Sequence, residues 1–387
     1  MPKILFITGL TGFGLGGART EEIRLVGGAA DRGCDVALCS DAPAEELAGT
    51  RHFRLDYPPG AKAPEQIARA LAEFKPELVH VMGGGVRFIQ TCDEQLAGVP
   101  WVFTVHNVPP AERIFPRLHR NSRLHYGVRN LLALPNVWVW SRYLKRGRFR
   151  MAICHSEITR SRVAELGGAP GRIRVIPFGC GLPESALAPD ASEPSPFPEG
   201  AWPRIVTLAG LAHHKGQLDA LRMAARLLPE FPKLGYRLIG MSRDASFRRS
   251  LEQTIRDLGL SENVSLLQAA SDATKFAALR AADLYVQPSH EEGFCIAFLE
   301  AAMLVPRLIG TRTGAIKEMA EGDHTARVVR PGDVAGLAGA ARELLRADIA
   351  DGVVARRRET LGRRYSWSAY LDAHLDAYEE VRHAAAG

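Results

Sequence analysis

Through the first half of the chain, short apolar runs alternate with longer stretches in which apolar positions recur every three to four residues. Lys3–Thr8, Asp35–Ser40, Glu77–Met82, Pro100–His106, Met151–His155 and Arg172–Pro177 are the short runs, and they predict strands. Ala18–Asp31, Pro64–Phe74 and Ser156–Leu166 have the helical period. Strand and helix in alternation predict a parallel sheet wrapped by helices. The pattern then breaks at Pro183, Pro189, Pro194, Pro196, Pro198 and Pro203, a density of proline that suits a linker. A second alternation follows. Arg204–Ala209, Tyr236–Gly240, Val264–Leu267, Leu284–Gln287, Pro306–Ile309 and Ala326–Val329 predict strands, with helices around Leu218–Leu228, Phe247–Leu258 and Thr274–Ala281. The chain therefore divides into an α/β domain over 1–182, a linker over 183–203, a second α/β domain over 204–365 and a tail over 366–387. Two such halves predict two Rossmann-like domains facing each other across a cleft, where ligands commonly bind. In the tail, Ser366–His383 reads as an amphipathic helix.

Composition narrows the class. With 387 residues, 46% hydrophobic and 24% charged, the chain can fill two cores and has the balance of a globular protein. Met1–Thr8 runs directly into a strand without a basic leader or cleavage site, and no apolar run approaches the length of about 18 residues that a spanning helix needs. Cys34, Cys39, Cys92, Cys154, Cys180 and Cys295 are scattered without C-x-x-C spacing, which suits reduced thiols in a cytoplasmic protein and argues against zinc.

The net charge of +6 is local. From Arg113 to Ser156 there is no Asp or Glu, while Arg113, Arg117, Arg120, Arg123, Arg129, Arg142, Lys145, Arg146, Arg148 and Arg150 fall there. The rest of the chain holds 39 basic against 43 acidic residues. Leu118, Leu124, Tyr126, Leu131, Leu132, Trp138, Trp140, Tyr143 and Phe149 are interleaved with the charge. Residues 113–150 thus suit an anionic membrane surface at the cytoplasmic face, a phosphorylated acceptor, or a solvated basic face packed through its apolar side. No reader module accompanies the charge, so nucleic acid is not expected as a partner.

The densest chemistry lies in Ser289–Ala302, SHEEGFCIAFLEAA. It follows the buried run Ala282–Pro288, so His290–Phe294 should lie beyond a strand's carboxyl end, where open α/β sheets bind ligands. Gly293 permits close backbone approach, and a helix from about Cys295 offers N–H groups to an anion. Glu292 and Glu300 would stand about 10 Å apart along that helix, one on each side of a bound diphosphate. That is the layout of a nucleotide-sugar.

The string resembles the E-x7-E signature of the retaining glycosyltransferases of family 4, which have the GT-B fold; Glu292, Gly293, Phe294, Glu300 and Ala301 match it, and Cys295 replaces the usual Gly. The resemblance implies that the tail helix crosses back onto the first domain. It assigns Glu292 to the sugar hydroxyls, Glu300 to the ribose hydroxyls, and the backbone of Gly293, Phe294, Cys295 and Ile296 to the donor. Gly210–Gly216, GLAHHKG, is similar to the family's G-R-x-x-x-x-K-G loop, so Gly210 and Lys215 are expected at the donor diphosphate; Leu211 stands where the family has Arg, with His213, His214 or Arg243 as candidates to compensate. Gly16, Gly17 and Ala18 match the family's G-G-A, and His106 in Thr104–Asn107 matches the histidine of its T-x-H motif, near the transferred sugar. Phe178 and Ala315 depart from the family pattern.

The sequence has no D-x-D, so neither a metal nor a resident cofactor is expected, and fixed charges and backbone dipoles would stabilise the leaving group. The expected function is retaining transfer of a sugar from a nucleoside-diphosphate sugar to an unidentified acceptor, with His106, Lys215 and Glu292 at the chemistry. A lipid-linked or anionic acceptor and a soluble metabolite both fit. Two other readings stay open. Gly12, Gly14, Gly17 and Asp41 satisfy a dinucleotide fingerprint and would make the protein a nicotinamide-dependent dehydrogenase, and the loss of Arg at Leu211 would suit a GT-B-fold binding protein without turnover.

Overall fold

Each of the twelve apolar runs forms a strand in a computed structural model of the chain, and every strand pairs in parallel with its neighbours. The structure describes residues 2–8, 17–41, 50–56, 60, 62–106, 137–187, 195–242, 244–268 and 270–386. It divides into two units, Met1–Gly179 with Trp367–Gly387, and Cys180–Ser366.

The first unit holds β1 (Lys3–Thr8), β2 (Asp35–Ser40), β3 (Arg51–Arg54), β4 (Leu78–Met82), β5 (Trp101–Val105), β6 (Met151–Cys154) and β7 (Ile173–Val175), in the order β3-β2-β1-β4-β5-β6-β7. β4, β5 and β6 are buried along their whole length, as strands covered on both faces by helices must be. β3, RHFR, has no apolar run and is not predicted; it is an edge strand in which only Phe53 is fully buried. The helix Ala63–Phe74 buries Ala63, Ile67, Ala70 and Phe74, the three-four spacing of a single face.

The tail forms the helix Trp367–Ala386 and belongs to this first unit. Tyr378 Oη lies 2.7 Å from His80 Nδ1, Arg32 pairs with Asp372 at 2.7 Å, and the Arg24 guanidinium stands 4.4 Å from the Trp367 ring.

In the second unit β8 (Arg204–Leu208), β9 (Gly235–Ile239), β10 (Val264–Leu267), β11 (Leu284–Gln287), β12 (Leu308–Thr311) and β13 (Ala326–Val329) take the order β10-β9-β8-β11-β12-β13. β12 starts two residues later than the apolar run predicts: Pro306 has no N–H for the ladder, and Arg307 joins it only through its carbonyl, which accepts from Tyr285 N at 2.9 Å. The described part of the proline-rich stretch 183–203 packs within this unit. Arg280 donates to the carbonyl of Ala186 at 3.1 Å, and Arg237 donates to that of Pro196 at 2.6 Å while covering the buried Phe197 ring.

Three histidines of the first unit, His80, His155 and His374, are buried. His80 lies between Tyr378 Oη and Thr104 Oγ1, His155 Nδ1 donates to the carbonyl of Ile176 at 2.8 Å, and His374 Nδ1 donates to that of Tyr370 at 2.9 Å. Burial pushes all three below the ordinary 6.5, His374 to about 4. The unfolded chain therefore binds more protons than the folded one between these values, so stability falls as pH falls from 6.5 towards 4. His374 alone accounts for about 3 kcal/mol of that loss once the pH is below its folded value. Urea melts from pH 7 to pH 4 should show the decline, and His374→Phe should make it shallower; an equal slope in the variant would show that His374 is not a source of it.

Candidate donor site in the second unit

In the order β10-β9-β8-β11-β12-β13, successive strands are laid on one side of β8 and then on the other, so the loops leaving β8 and β11 diverge at the carboxyl edge of the sheet. That topological switch point is where open α/β sheets bind ligands. The loop after β8 carries Gly210–Gly216 and the loop after β11 carries Pro288–Cys295. They meet through backbone. Gly216 has φ +71°, and a Cβ there would fall 2.0 Å from the carbonyl oxygen of Pro288. His290 N donates to the carbonyl of His214 at 2.8 Å, and His290 Nε2 lies 2.6 Å from the buried Asp219.

Across this junction Lys215 Nζ donates to Glu292 Oε2 at 2.8 Å. Glu292 is buried, and its other oxygen accepts from Ser289 Oγ at 2.7 Å and Gln287 Nε2 at 3.3 Å. Gln287 in turn donates to Ser289 and accepts from the Tyr285 hydroxyl. Tyr285, Gln287 and Ser289 are spaced by two, so the extended chain turns them to one face, towards the carboxylate. Burial lowers the Lys215 pKa, but the Glu292 charge, then Cys295, then the hydrogen bond outweigh it, and the ammonium ends above its ordinary 10.5. The lysine's contribution to stability through this raised pKa is therefore complete at neutral pH and is lost as pH rises through the raised value.

Beyond Glu292 the chain turns at Cys295, whose φ of +87° lies in the region that favours glycine, and enters the helix Ile296–Ala302. Phe294 is buried against the Tyr365 ring, and its carbonyl accepts from Ala315 N at 2.9 Å. Gly314 allows this: a Cβ there would meet Phe294 O at 2.5 Å and Glu292 Cβ at 2.9 Å. Arg357 donates to the carbonyls of Ala302 and Val305, satisfying the far end of the helix. Glu300 Oε1 accepts from Lys275 Nζ at 3.1 Å. Burial raises the Glu300 pKa above its ordinary value, and Lys275 partly offsets this.

The second unit thus brings together Gly210, Lys215, Glu292, Gly293, Phe294, Cys295, Ile296 and Glu300 on two adjoining loops and one short helix. Gln217 Nε2 donates to the carbonyl of Gly210 at 2.9 Å. Leu211 is buried in the core and its N–H bonds to Met241 O at 2.8 Å, so its side chain serves packing. His213 lies against the Phe247 ring with centroids 4.1 Å apart, and Arg243 falls outside the described residues. Sequence reasoning did not find Ser289, Gln287, Asp219 or Lys275. Ser289 and Gln287 stand three and five residues upstream of Glu292 and two from each other at the end of a predicted strand, and this nearness was a usable signal; Lys275 lies 25 positions from Glu300 and gave none.

In the first unit His106 follows β5, and its Nε2–H donates to Glu22 Oε1 at 2.8 Å; Glu22 is buried and also accepts from Thr8 Oγ1 at 2.9 Å. The Phe178 ring stacks on His155 at 3.7 Å and lies nearly parallel to His106 at 6.0 Å, so the aromatic residue at this position supports the histidine. Gly17 opens the helix Gly17–Asp31, and Asp41 directly follows β2; Gly12, Gly14 and Gly16 lie outside the described residues. So do residues 113–136 of the basic segment. Of its described aromatic residues, Trp140, Tyr143 and Phe149 are buried in the unit's core, while Trp138 is 63% exposed with the Arg142 guanidinium 5.5 Å from its ring. Among the described residues no group of His, Cys, Asp and Glu could hold a metal, and no helix is long and apolar enough to cross a membrane.

The sequence model of the glycosyl transferases group 1 matches residues 193–360, and that of glycosyltransferase family 4 matches residues 15–181. A phosphatidyl-myo-inositol mannosyltransferase of Mycobacterium leprae is 34% identical over 125 residues, 32% of this chain and 33% of that protein. A D-inositol 3-phosphate glycosyltransferase of Corynebacterium jeikeium is 26% identical over 217 residues, 54% of this chain and 52% of that protein. The matched span is thus between a third and about half of these relatives' length. In fold, the chain is similar to sucrose-phosphate synthase from Thermosynechococcus elongatus (TM-score 0.75, 18% identity, 99% of this chain and 100% of that one) and to HepE of Anabaena in complex with UDP and glucose (TM-score 0.72, 18% identity, 98% and 100%).

Substitutions at two positions test the backbone that carries the site. Gly216→Ala should cost at least about 2 kcal/mol, because Cβ cannot coexist with Pro288 O and the left-handed φ adds strain. Cys295→Val should cost about 2 kcal/mol through its β-branch at positive φ, whereas Cys295→Gly should stay within about 1 kcal/mol of the parent. Chemical denaturation of the three variants measures both; a Cys295→Val protein as stable as the parent would contradict the backbone assignment.

Proposed function

Because the chain belongs to the group 1 glycosyltransferases, with a family 4 first half, we propose that it transfers a sugar from a nucleoside-diphosphate sugar to an acceptor hydroxyl with retention of the anomeric configuration. The observation that carries this reading is the Lys215–Glu292 pair at the switch point of the second sheet. A cation there meets the diphosphate, and a buried, hydrogen-bonded carboxylate beside it accepts from sugar hydroxyls. Glu300, on the helix that follows, takes the ribose. HepE, whose fold the chain shares, is described in complex with UDP, which supports a nucleotide donor.

In the reaction the bond between the anomeric carbon and the diphosphate oxygen breaks and a bond from the acceptor oxygen forms on the same face. The acceptor proton passes to the departing diphosphate, so no protein nucleophile or metal is required. Lys215 and the N–H groups at Gly293–Ile296 stabilise the charge that grows on the leaving group. In the first unit His106, held by Glu22, is the residue that the family's T-x-H motif assigns to the sugar-transfer step.

An anionic acceptor suits the basic segment 113–150, and the names of two relatives, which carry phosphatidylinositol and inositol phosphate, support a phosphorylated one. Among the segment's described residues, Trp138 and the basic Arg142, Lys145, Arg146, Arg148 and Arg150 are exposed and available to a lipid surface. The dehydrogenase reading of Gly12, Gly14, Gly17 and Asp41 finds no support among the matched proteins.

Thermal-shift measurements with uridine, guanosine and adenosine diphosphates and with nicotinamide dinucleotides test the donor site. One nucleoside diphosphate at about 100 times its Kd should stabilise the protein by roughly 2.7 kcal/mol, and Glu300→Ala should lose most of that gain. Stabilisation by a dinucleotide alone would refute the reading. For the acceptor side, flotation with anionic vesicles should show binding in dilute buffer and release near 1 M salt, where the screening length falls to about 3 Å. Failure to float in dilute buffer would leave the phosphorylated soluble acceptor.

A further inference from the structure

Lys275 lies on the helix Asp272–Ala281, outside every stretch to which the sequence assigns chemistry. Its ammonium reaches two carboxylates, Glu300 Oε1 at 3.1 Å and Asp272 Oδ1 at 3.1 Å, and stands 4.2 Å from the Phe276 ring centroid. The side chains of Lys275 and Glu300 are 23% and 18% exposed, whereas that of Asp272 is 82% exposed. The buried partnership is therefore the one with Glu300. Among the described residues no donor is bonded to Glu300 Oε2.

We propose that Lys275 is a positioning residue of the nucleotide site: it fixes Glu300 through Oε1 so that Oε2 accepts the hydroxyl hydrogens of a ribose. The inference rests on the donor-site reading above. A carboxylate on a helix of seven residues can take several rotamers, and a ribose presents two adjacent hydroxyls that require one of them. The lysine selects the rotamer before the ligand arrives. It also keeps the acceptor competent, since a protonated carboxyl would offer one acceptor oxygen fewer. Burial pushes Glu300 towards that neutral form and Lys275 opposes it. Of the other charged groups nearby, Asp272 acts against ionisation. Tyr285 on β11 is a buried phenol held neutral by burial. Arg357 and Arg358, on the helix Val353–Arg364, turn to the carbonyls of Ala302, Val305 and Met303 at the other end of the Glu300 helix. Lys275 is thus the cation, among the described residues, that serves Glu300.

The test is calorimetric titration of uridine, guanosine and adenosine diphosphates, and of the 2′,3′-dideoxy form of whichever binds, into the parent, Lys275→Met and Lys275→Arg between pH 7 and 9. Lys275→Met should bind the ribonucleotide about tenfold more weakly at pH 7 and regain affinity as pH rises, because Glu300 then ionises without its partner. Lys275→Arg keeps the charge and should stay within about threefold of the parent. The dideoxy ligand should bind the parent more weakly than the ribonucleotide and should lose less on Lys275→Met. Urea melts of all three proteins accompany the titrations. If Lys275→Met binds the ribonucleotide as the parent does, or if both variants are weakened equally at every pH, Lys275 has no positioning role while the donor site stands. If the parent binds no nucleoside diphosphate, the donor site falls and this inference with it.

Discussion

The Lys215–Glu292 ion pair is the constraint on which the second unit's active edge depends. A buried pair loses hydration on both sides, and its Coulomb energy repays that loss only where the geometry is good and the remaining lone pairs are satisfied. Here the two residues come from loops 77 positions apart in sequence, so the pair exists only because β8 and β11 are neighbours. The second oxygen of Glu292 is satisfied by Ser289 and Gln287, which a strand's twofold period turns to the same side. Gly216 against Pro288 O, and Gly314 against Phe294 O, bring the loops together at distances that no side chain would permit. The site is held by backbone first and by charge second.

The first unit solves a related problem with different groups. Glu22, buried on the helix after β1, is satisfied by Thr8 on one oxygen and His106 on the other. His106 thereby presents Nε2 as a donor to the carboxylate, which leaves Nδ1 the acceptor in the neutral ring. Phe178 lies parallel to that ring and also stacks on His155. The imidazole is therefore restrained in plane by the carboxylate and across its face by aromatic contact.

Much of the fold was legible because a parallel sheet buried on both faces needs continuous apolar strands, and those runs are visible without any tertiary knowledge. β3 was not legible for the complementary reason: at the sheet's edge only Phe53 needs to be buried, and RHFR has no run to see. The proline density of 183–203 suggested a linker because prolines are common in linkers, but Phe197 and the Pro196 carbonyl both face Arg237, and composition does not report such contacts. At the site, Lys215, Glu292 and Glu300 were legible as a local pattern. Lys275, the partner of Glu300, and Asp219, the partner of His290, act through space from distant positions in sequence. The aromatic residues interleaved with the basic segment suggested a surface face, yet Trp140, Tyr143 and Phe149 are core, because their alternation with charge is what a half-buried helix and its flank require.

Leu211 gives the arrangement its remaining consequence. Its side chain is in the apolar core and its backbone follows the edge of the sheet, so the position is committed to packing. On the donor-site reading, the diphosphate must then draw on Lys215, which in the free protein is engaged with Glu292. Turning Lys215 towards a phosphate would leave a buried carboxylate without its cation, a loss of several kcal/mol if nothing else held that charge. Ser289 and Gln287 do hold it, since their hydrogen bonds go to the oxygen that Lys215 does not use. A carboxylate that keeps two donors can share its cation with an incoming anion at far lower cost than one that depends on the cation alone. The hydrogen-bonded chain from Tyr285 to Glu292 is therefore what allows one lysine to serve both the carboxylate and the leaving group.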